Sequence, residues 1–232
     1  MGPTLQPRVK ICCIASVEEA WLAVRAGASA LGLVSAMPSG PGVIDERTIA
    51  EIAAAVPPPI ATFLLTSLQD ADAILEQHRR CRTNTIQLCD RLPQGAHREL
   101  RRALPGIALV QVIHVTGMDS VREAIALAQQ VNALLLDSGN PSLPVKELGG
   151  TGRVHDWSLS RRIREESPVS VFLAGGLNAG NVAEAVRAVS PFGLDLCSGV
   201  RTHGHLDEVK LKTFFEAVTV ADRAFPPTRN NR

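Results

Sequence analysis

No apolar run in the sequence approaches the ~18 residues a membrane span requires, and Met1 to Pro7 contains neither a charged stretch nor an apolar one. Neither a transmembrane helix nor a secretory leader is therefore expected. An excess of charge of one sign is also missing. Twenty-four Lys and Arg stand against 23 Asp and Glu, for a formal net charge of +1, with no acidic tail or basic arm, so a polyanion such as nucleic acid is not the expected partner. The short basic runs Arg79, Arg80, Arg82 and Arg98, Arg101, Arg102 read as solvated helix faces. Cysteine is sparse and unpaired in pattern: five residues, at 12, 13, 81, 89 and 197, with no Cys-x-x-Cys spacing. An odd count without motif spacing argues for reduced thiols in a cytoplasmic compartment. A Gly- or Ser-rich linker is absent, so the 232 residues, 45% of them hydrophobic, are expected to form one domain, a length that α/β barrels reach around a single core.

What is present is a regular alternation of short apolar, β-rich runs with amphipathic stretches. The runs are 9–14, 30–35, 60–66, 85–89, 108–115, 133–138, 169–174 and 193–198. They lack the apolar/polar alternation of a half-exposed sheet, which suits parallel strands covered on both faces. Helical spacing follows the first run at Ala20, Ala23, Val24 and Gly27, and the seventh at Val182, Ala185, Val186 and Val189. Ser16 and Asp45 stand as helix-start signals, and Pro57-Pro58-Pro59 as a stop. The unit recurs roughly every 26 residues, a βα repeat and not a solenoid period. Eight strands close a barrel, and the expected fold is a single-domain (βα)8 TIM barrel, with 1–8 as a lead-in, 9–224 as the barrel and 225–232 as a disordered polar tail. A doubly wound open sheet uses similar units, so the position of the unusual residues decides between the two.

Those residues fall at strand ends, where a βα barrel builds its active site. Strand one carries Cys12, strand two runs into Pro38-Ser39-Gly40-Pro41-Gly42, and strand four ends Gln87-Leu88-Cys89-Asp90. Strand six ends Leu136-Asp137-Ser138 and leads to Gly149-Gly150-Thr151-Gly152; strands seven and eight end in Gly175-Gly176 and Cys197-Ser198-Gly199. Glycines after the last two strands let backbone N–H groups point at a phosphate without a basic side chain. Cys12 and Asp137 reach the mouth from opposed strands, as a general base and a general acid must. A base at Cys12 requires the thiolate, which nearby dipoles or a cation would favour. The bland alternatives are a small buried hydrophobe for Cys12 and a cap or turn residue for Asp137.

Lys10-Ile11-Cys12, Leu135-Leu136-Asp137-Ser138, Gly149-Gly150-Thr151-Gly152 with Asp156-Trp157, Ala174 to Asn178 with Asn181-Val182, and Asp195 to Val200 together resemble the signature segments of phosphoribosylanthranilate isomerases, in order and over nearly the whole chain. The resemblance implies an Amadori rearrangement in tryptophan biosynthesis. Asp137 would protonate the furanose ring oxygen, and Cys12 would take the sugar C2 proton. No metal or organic cofactor is implied, because the protonated imine is the electron sink. Substrate and phosphate contacts would fall on Gly150, Thr151, Gly152, Gly175, Gly176, Ser198 and Gly199, with Asp195 touching a sugar hydroxyl or orienting the site. The partner would be a small phosphorylated sugar, with no nucleic acid and no membrane, and the assembly a monomer or homodimer.

The chain departs from the family pattern at four places. Pro41 occupies the position of an Arg that holds the anthranilate carboxylate, Cys13 that of a glycine, Cys89 that of a histidine and Arg201 that of a glutamate. Arg201 or Arg153 is the candidate replacement cation. The alternatives are a paralogous isomerase acting on a different phosphoribosylamine, and a non-catalytic barrel that binds a phosphometabolite. His203 and His205 with Asp207 form a weak metal pattern, and His114 a possible contact at the barrel mouth. One contact is expected from strand parity alone: Lys10 and Asp195, each two residues before a mouth position on strands one and eight, face inward together and pair.

Overall fold

The computed structural model describes residues 6–140 and 142–224; the tail read at 225–232 lies outside them. Eight parallel strands alternate with eight helices and close on themselves in sequence order. The strands are β1 (Arg8–Ile11), β2 (Ala30–Val34), β3 (Ala61–Thr66), β4 (Thr85–Leu88), β5 (Ala108–His114), β6 (Ala133–Asp137), β7 (Ser170–Leu173) and β8 (Gly193–Leu196). The helices are α1 (Val17–Ala26), α2 (Glu46–Ala55), α3 (Ala71–Cys81), α4 (Ala96–Ala103), α5 (Met118–Ala128), α6 (Trp157–Glu166), α7 (Val182–Val189) and α8 (Glu208–Ala224). A short hairpin, β9 (Arg201–Thr202) with β10 (His205–Leu206), follows β8. All eight expected strands are present. Several end earlier than their apolar runs, most plainly β1, because the chain leaves the ladder after Ile11 and turns at Cys13, whose φ is 62°.

Each strand divides its side chains between two buried layers, which is why none alternates apolar with polar. Ile11, Leu31, Leu33, Leu64, Leu134 and Leu136 point outward into a core shared with the helices. Ala30, Val34, Phe63, Leu65, Ala133, Leu135 and Phe172 point inward and fill the barrel. Helix starts follow the sequence signals: Ser16 accepts a hydrogen bond from the Glu19 N–H, and Asp45 from that of Thr48. α2 stops at Ala55, just before the Pro57 to Pro59 run. The basic runs lie on α3 and α4 and in the turn after α3, where Arg79 and Arg80 pair with surface glutamates. Among the described residues no helix is long and apolar enough to cross a membrane.

β1 and β8 close the barrel with Lys10 opposite Asp195. The Lys10 ammonium is 0% exposed and donates to Asp195 Oδ1 at 2.9 Å, with the Phe63 ring centroid 5.2 Å away. Gly32 on β2 makes room for it, since a Cβ there would stand 3.0 Å from Lys10 Nζ and 2.8 Å from Cys12 Sγ. Burial by itself would drive the lysine toward neutrality. Asp195, assisted by Cys12 and Cys13, overrides that and holds it above an ordinary lysine.

Removing one partner of such a pair leaves a buried charge unmatched, at a cost of about 3–5 kcal/mol. Lys10→Met is therefore expected to lose that much in urea unfolding, and Lys10→Met with Asp195→Leu to regain most of it. A single variant as stable as wild type would refute the coupling.

Candidate active site

The C-terminal strand ends surround a cleft of about 710 Å³ that opens to solvent. Cys12 and Asp137 both line it, as do Gly150, Thr151, Gly152, Gly175, Gly176, Asp195 and Ser198. Gly199 does not. It packs behind the cleft, where an added Cβ would meet the Leu177 carbonyl oxygen at 2.0 Å, so its smallness serves the contact between the loops after β7 and β8.

Asp137 ends β6 and is buried. Burial raises its carboxyl above the ordinary aspartate value, and nearby Asp195 adds to the rise; the Ser138 N–H, donating at 2.7 Å, and His114 oppose it. The result is a carboxyl that tends to keep its proton, the state a general acid needs. Gly149 allows this approach, because a Cβ there would sit 2.7 Å from Asp137 Oδ2. Beside it the Ser138 and Thr151 hydroxyls lie 2.7 Å apart.

The far side of the cleft is a turn built from backbone. Asn178 and Asn181 both donate side-chain N–H groups to the Gly176 carbonyl, and the Asn178 N–H donates to Asn181 Oδ1. Gly175 and Gly176 have φ values of 86° and 62°. The backbone N–H groups of Gly175, Gly176 and Ser198 donate to no acceptor among the described residues. Unclaimed donors converging beside the Ser198–Val200 helical turn form a cup for an anion.

Two loops roof the cleft. Ser39 donates its hydroxyl to the Lys146 carbonyl at 2.7 Å, and a Cβ on Gly150 would stand 2.8 Å from Pro41 Cδ. Lys146 is tied down in turn by Asp90 at the end of β4. No Lys or Arg lines the cleft among the described residues. The two cations considered as replacements at the Pro41 position are committed elsewhere: Arg153 pairs with Glu147, and Arg201 pairs with Glu19 while donating to the Cys12, Cys13 and Gly204 carbonyls.

His114 does not line the cleft; its Nε2 lies 3.2 Å from the Cys89 carbonyl oxygen. His203 and His205 are exposed on the β9–β10 hairpin, and the Asp207 carboxylate is occupied by Thr202 and the first N–H groups of α8. No group of three His, Cys, Asp or Glu among the described residues could hold a metal ion. The sequence reading did not anticipate that Cys13, Cys89 and Cys197 line the same cleft as Cys12, with Gln87, Met37 and Leu148. For the cysteines the signal was their repeated position at strand ends.

A family model described as N-(5'-phosphoribosyl)anthranilate (PRA) isomerase matches residues 9–217. The N-(5'-phosphoribosyl)anthranilate isomerase 2 of Methanosarcina mazei is 35% identical over 209 residues, 89% of this chain and 92% of that protein. The corresponding isomerase of Nostoc punctiforme is 33% identical, covering 90% and 97%. Among solved structures, the phosphoribosyl anthranilate isomerase of Thermotoga maritima superposes with a TM-score of 0.79 at 28% identity, over 92% of this chain and 99% of that one. A phosphoribosyl anthranilate isomerase in complex with reduced 1-(o-carboxyphenylamino)-1-deoxyribulose 5-phosphate gives 0.77 at 26% identity, again over 92% and 99%.

The raised Asp137 carboxyl has a consequence for folding. The folded protein holds this proton to higher pH than the unfolded chain, so the stability it confers is complete below about pH 3.9 and is lost as pH rises through the folded value. Asp137→Asn has no such loss. It should unfold at higher urea than wild type at pH 7, with the advantage shrinking toward pH 4; equal midpoints at pH 7 would contradict the assignment.

Proposed function

The chain belongs to the N-(5'-phosphoribosyl)anthranilate isomerase family, an isomerase of tryptophan biosynthesis, and on that premise we propose how its cleft performs the Amadori rearrangement. The observation that carries the proposal is the placement of Cys12 and Asp137 on strands from opposed sides of one cleft, beside a cup of unclaimed backbone N–H groups.

The substrate's phosphate sits in the cup formed by Gly175, Gly176 and Ser198, with Gly150, Thr151 and Gly152 closing over the sugar. Gly199 supports that cup from behind. Asp137 gives its proton to the furanose ring oxygen, the C1–O bond breaks, and the anthranilate nitrogen's lone pair forms the C1=N iminium. Cys12, as thiolate, removes the C2 proton; the C–H electrons form a C1=C2 double bond and neutralise the nitrogen. The resulting enol takes a proton at C1, loses its hydroxyl proton and becomes the ketone. The iminium accepts the electrons, so the sequence of steps requires no metal or organic cofactor. Asp195 orients the site through Lys10, whose ammonium lies close to Cys12 Sγ across the space that Gly32 leaves open. The enzyme works in the cytoplasm as a monomer or homodimer on a small phosphorylated sugar, without nucleic acid or membrane.

Cys12→Ala and Asp137→Ala should each lose about 10²–10⁴ of turnover, while reduced product analogue still binds, because the phosphate is held by backbone groups elsewhere. Steady-state kinetics beside calorimetric binding make the test. Near-wild-type turnover in either variant would end the assignment.

The cleft's lack of a cation favours a second reading of the aglycone side: the anthranilate carboxylate is weakly recognised, or a different phosphoribosylamine is the better substrate. A hydrogen bond to a charged group contributes about 1.5–3 kcal/mol, so Pro41→Arg should lower KM for phosphoribosylanthranilate by roughly ten- to a hundred-fold, with kcat changed less because the carboxylate is remote from the proton transfers. An analogue without the carboxylate should show no such gain. If wild type already discriminates strongly for the carboxylate, the argument from Pro41 fails and the standard substrate stands. If neither compound turns over, a phosphometabolite-binding role replaces the isomerase reading.

A further inference from the structure

Four of the five cysteines line the cleft, and they differ in access. Cys12, Cys13 and Cys89 are buried, whereas Cys197 is partly exposed and is alone in that among the five. The β1–β8 ladder sets their spacing. Ile11 lies opposite Leu196, and the Cys12 N–H continues the ladder to the Leu196 carbonyl at 2.9 Å. The next residues, Cys12 to Cys13 and Cys197, thus leave two strands that stand about 4.8 Å apart, within the Cα separation of ~4.4–6.8 Å that a disulfide spans. The turn at Cys13 carries its sulfur toward its neighbours, so that its thiol is within hydrogen-bond reach of both the Cys12 and the Cys197 sulfur.

We infer that Cys197 and Cys13 form an oxidant-sensitive pair at the cleft, in which a hydroperoxide oxidises Cys197 and Cys13 captures it as a disulfide. Peroxide transfers one oxygen to the Cys197 thiolate and leaves as water after taking up a proton, giving the sulfenic acid. The Cys13 sulfur then attacks that sulfur, the S–O bond breaks, and the hydroxyl departs with the Cys13 proton as a second water. Two thiols are oxidised and one peroxide is reduced.

The local electrostatics suit these roles. Hydrogen bonding from Cys13, and then the charge of Arg201, hold the Cys197 thiol below an ordinary cysteine against the effect of burial and of Asp195. Cys13, donating to Cys12 and Cys197 and buried, is pushed up and keeps its proton. An accessible thiolate beside an arginine is the more reactive partner, and a neighbouring thiol resolves it. The disulfide would bind the end of β1 to the loop that carries Ser198. Its effect on turnover rests on reading this cleft as the active site; its formation does not.

The test treats wild-type protein with hydrogen peroxide, caps remaining thiols with iodoacetamide, and maps peptides without reduction, with fragmentation to separate Cys12 from Cys13. A Cys13–Cys197 link is expected, with turnover lost in parallel and recovered by dithiothreitol. Cys197→Ser, compared with its own untreated activity, should form no link and lose activity several-fold more slowly. Absence of the link in wild type, a Cys12–Cys197 link in its place, or equal loss in Cys197→Ser would overturn the inference. A link that forms while turnover persists would uphold the pair and count against the active-site reading.

Discussion

A lysine ammonium in the interior of a barrel is tolerable only where a carboxylate meets it, and the Lys10–Asp195 pair is the interaction on which this architecture turns. It joins the first strand to the last, so the register that brings the two charges together also closes the barrel. A slip of one residue would turn Lys10 into the outer apolar layer and leave Asp195 unmatched, at a cost comparable with a large part of a domain's total stability. Two residues further along each strand come Cys12 and Cys197. The same parity that buries the ion pair thus directs both thiols to the cleft, and packing and chemistry share one constraint.

The electrostatics of the mouth follow from what surrounds that pair. Asp137 and Asp195 face one cleft, and Lys10 neutralises only the carboxylate it contacts. Buried near a second acid, Asp137 is left with a raised affinity for its proton, which separates the roles of two like groups: one stays paired and structural, the other is free to give a proton. The phosphate end needs no arginine, because Asn178 and Asn181 use their amides to hold the turn at Gly176 and leave neighbouring N–H groups unclaimed.

The eight strands and their order were legible in the sequence because both sheet faces are buried and the runs are apolar throughout. The Lys10–Asp195 contact followed from period-two parity. Strand-end residues were legible as a set because barrel topology sends every strand end to one mouth, and Gly199 was the exception because a glycine needed for close packing looks the same in sequence as one needed for a ligand. Less legible was anything that depends on loops meeting across the mouth. Pro41 under Gly150, Ser39 on Lys146 and Lys146 on Asp90 join segments far apart in the chain, with no periodicity to announce them. Arg201 shows the same limit. As a charge near strand eight it was a candidate for the substrate, yet four of its contacts are to Glu19 and to carbonyls at the end of β1.

Those contacts explain how the chain accommodates its departures from the family pattern. A side chain where the family has glycine is unfavourable at φ 62°, by ~1–2 kcal/mol for an ordinary L-residue. Three features offset the strain at Cys13. Arg201, itself fixed by Glu19, donates to the carbonyls of Cys12 and Cys13 and holds the peptide units in place. The Cys13 thiol donates to the Pro41 carbonyl at 3.6 Å. Gly42 then yields the space, since a Cβ there would lie 2.4 Å from that of Cys13. Cysteine at 13, proline at 41, glycine at 42 and arginine at 201 are therefore one physical adjustment distributed over three loops. Restoring a single family residue at any of them would act on a neighbour shaped to the present set, so their effects on stability are expected to be non-additive, as for any residues in direct contact.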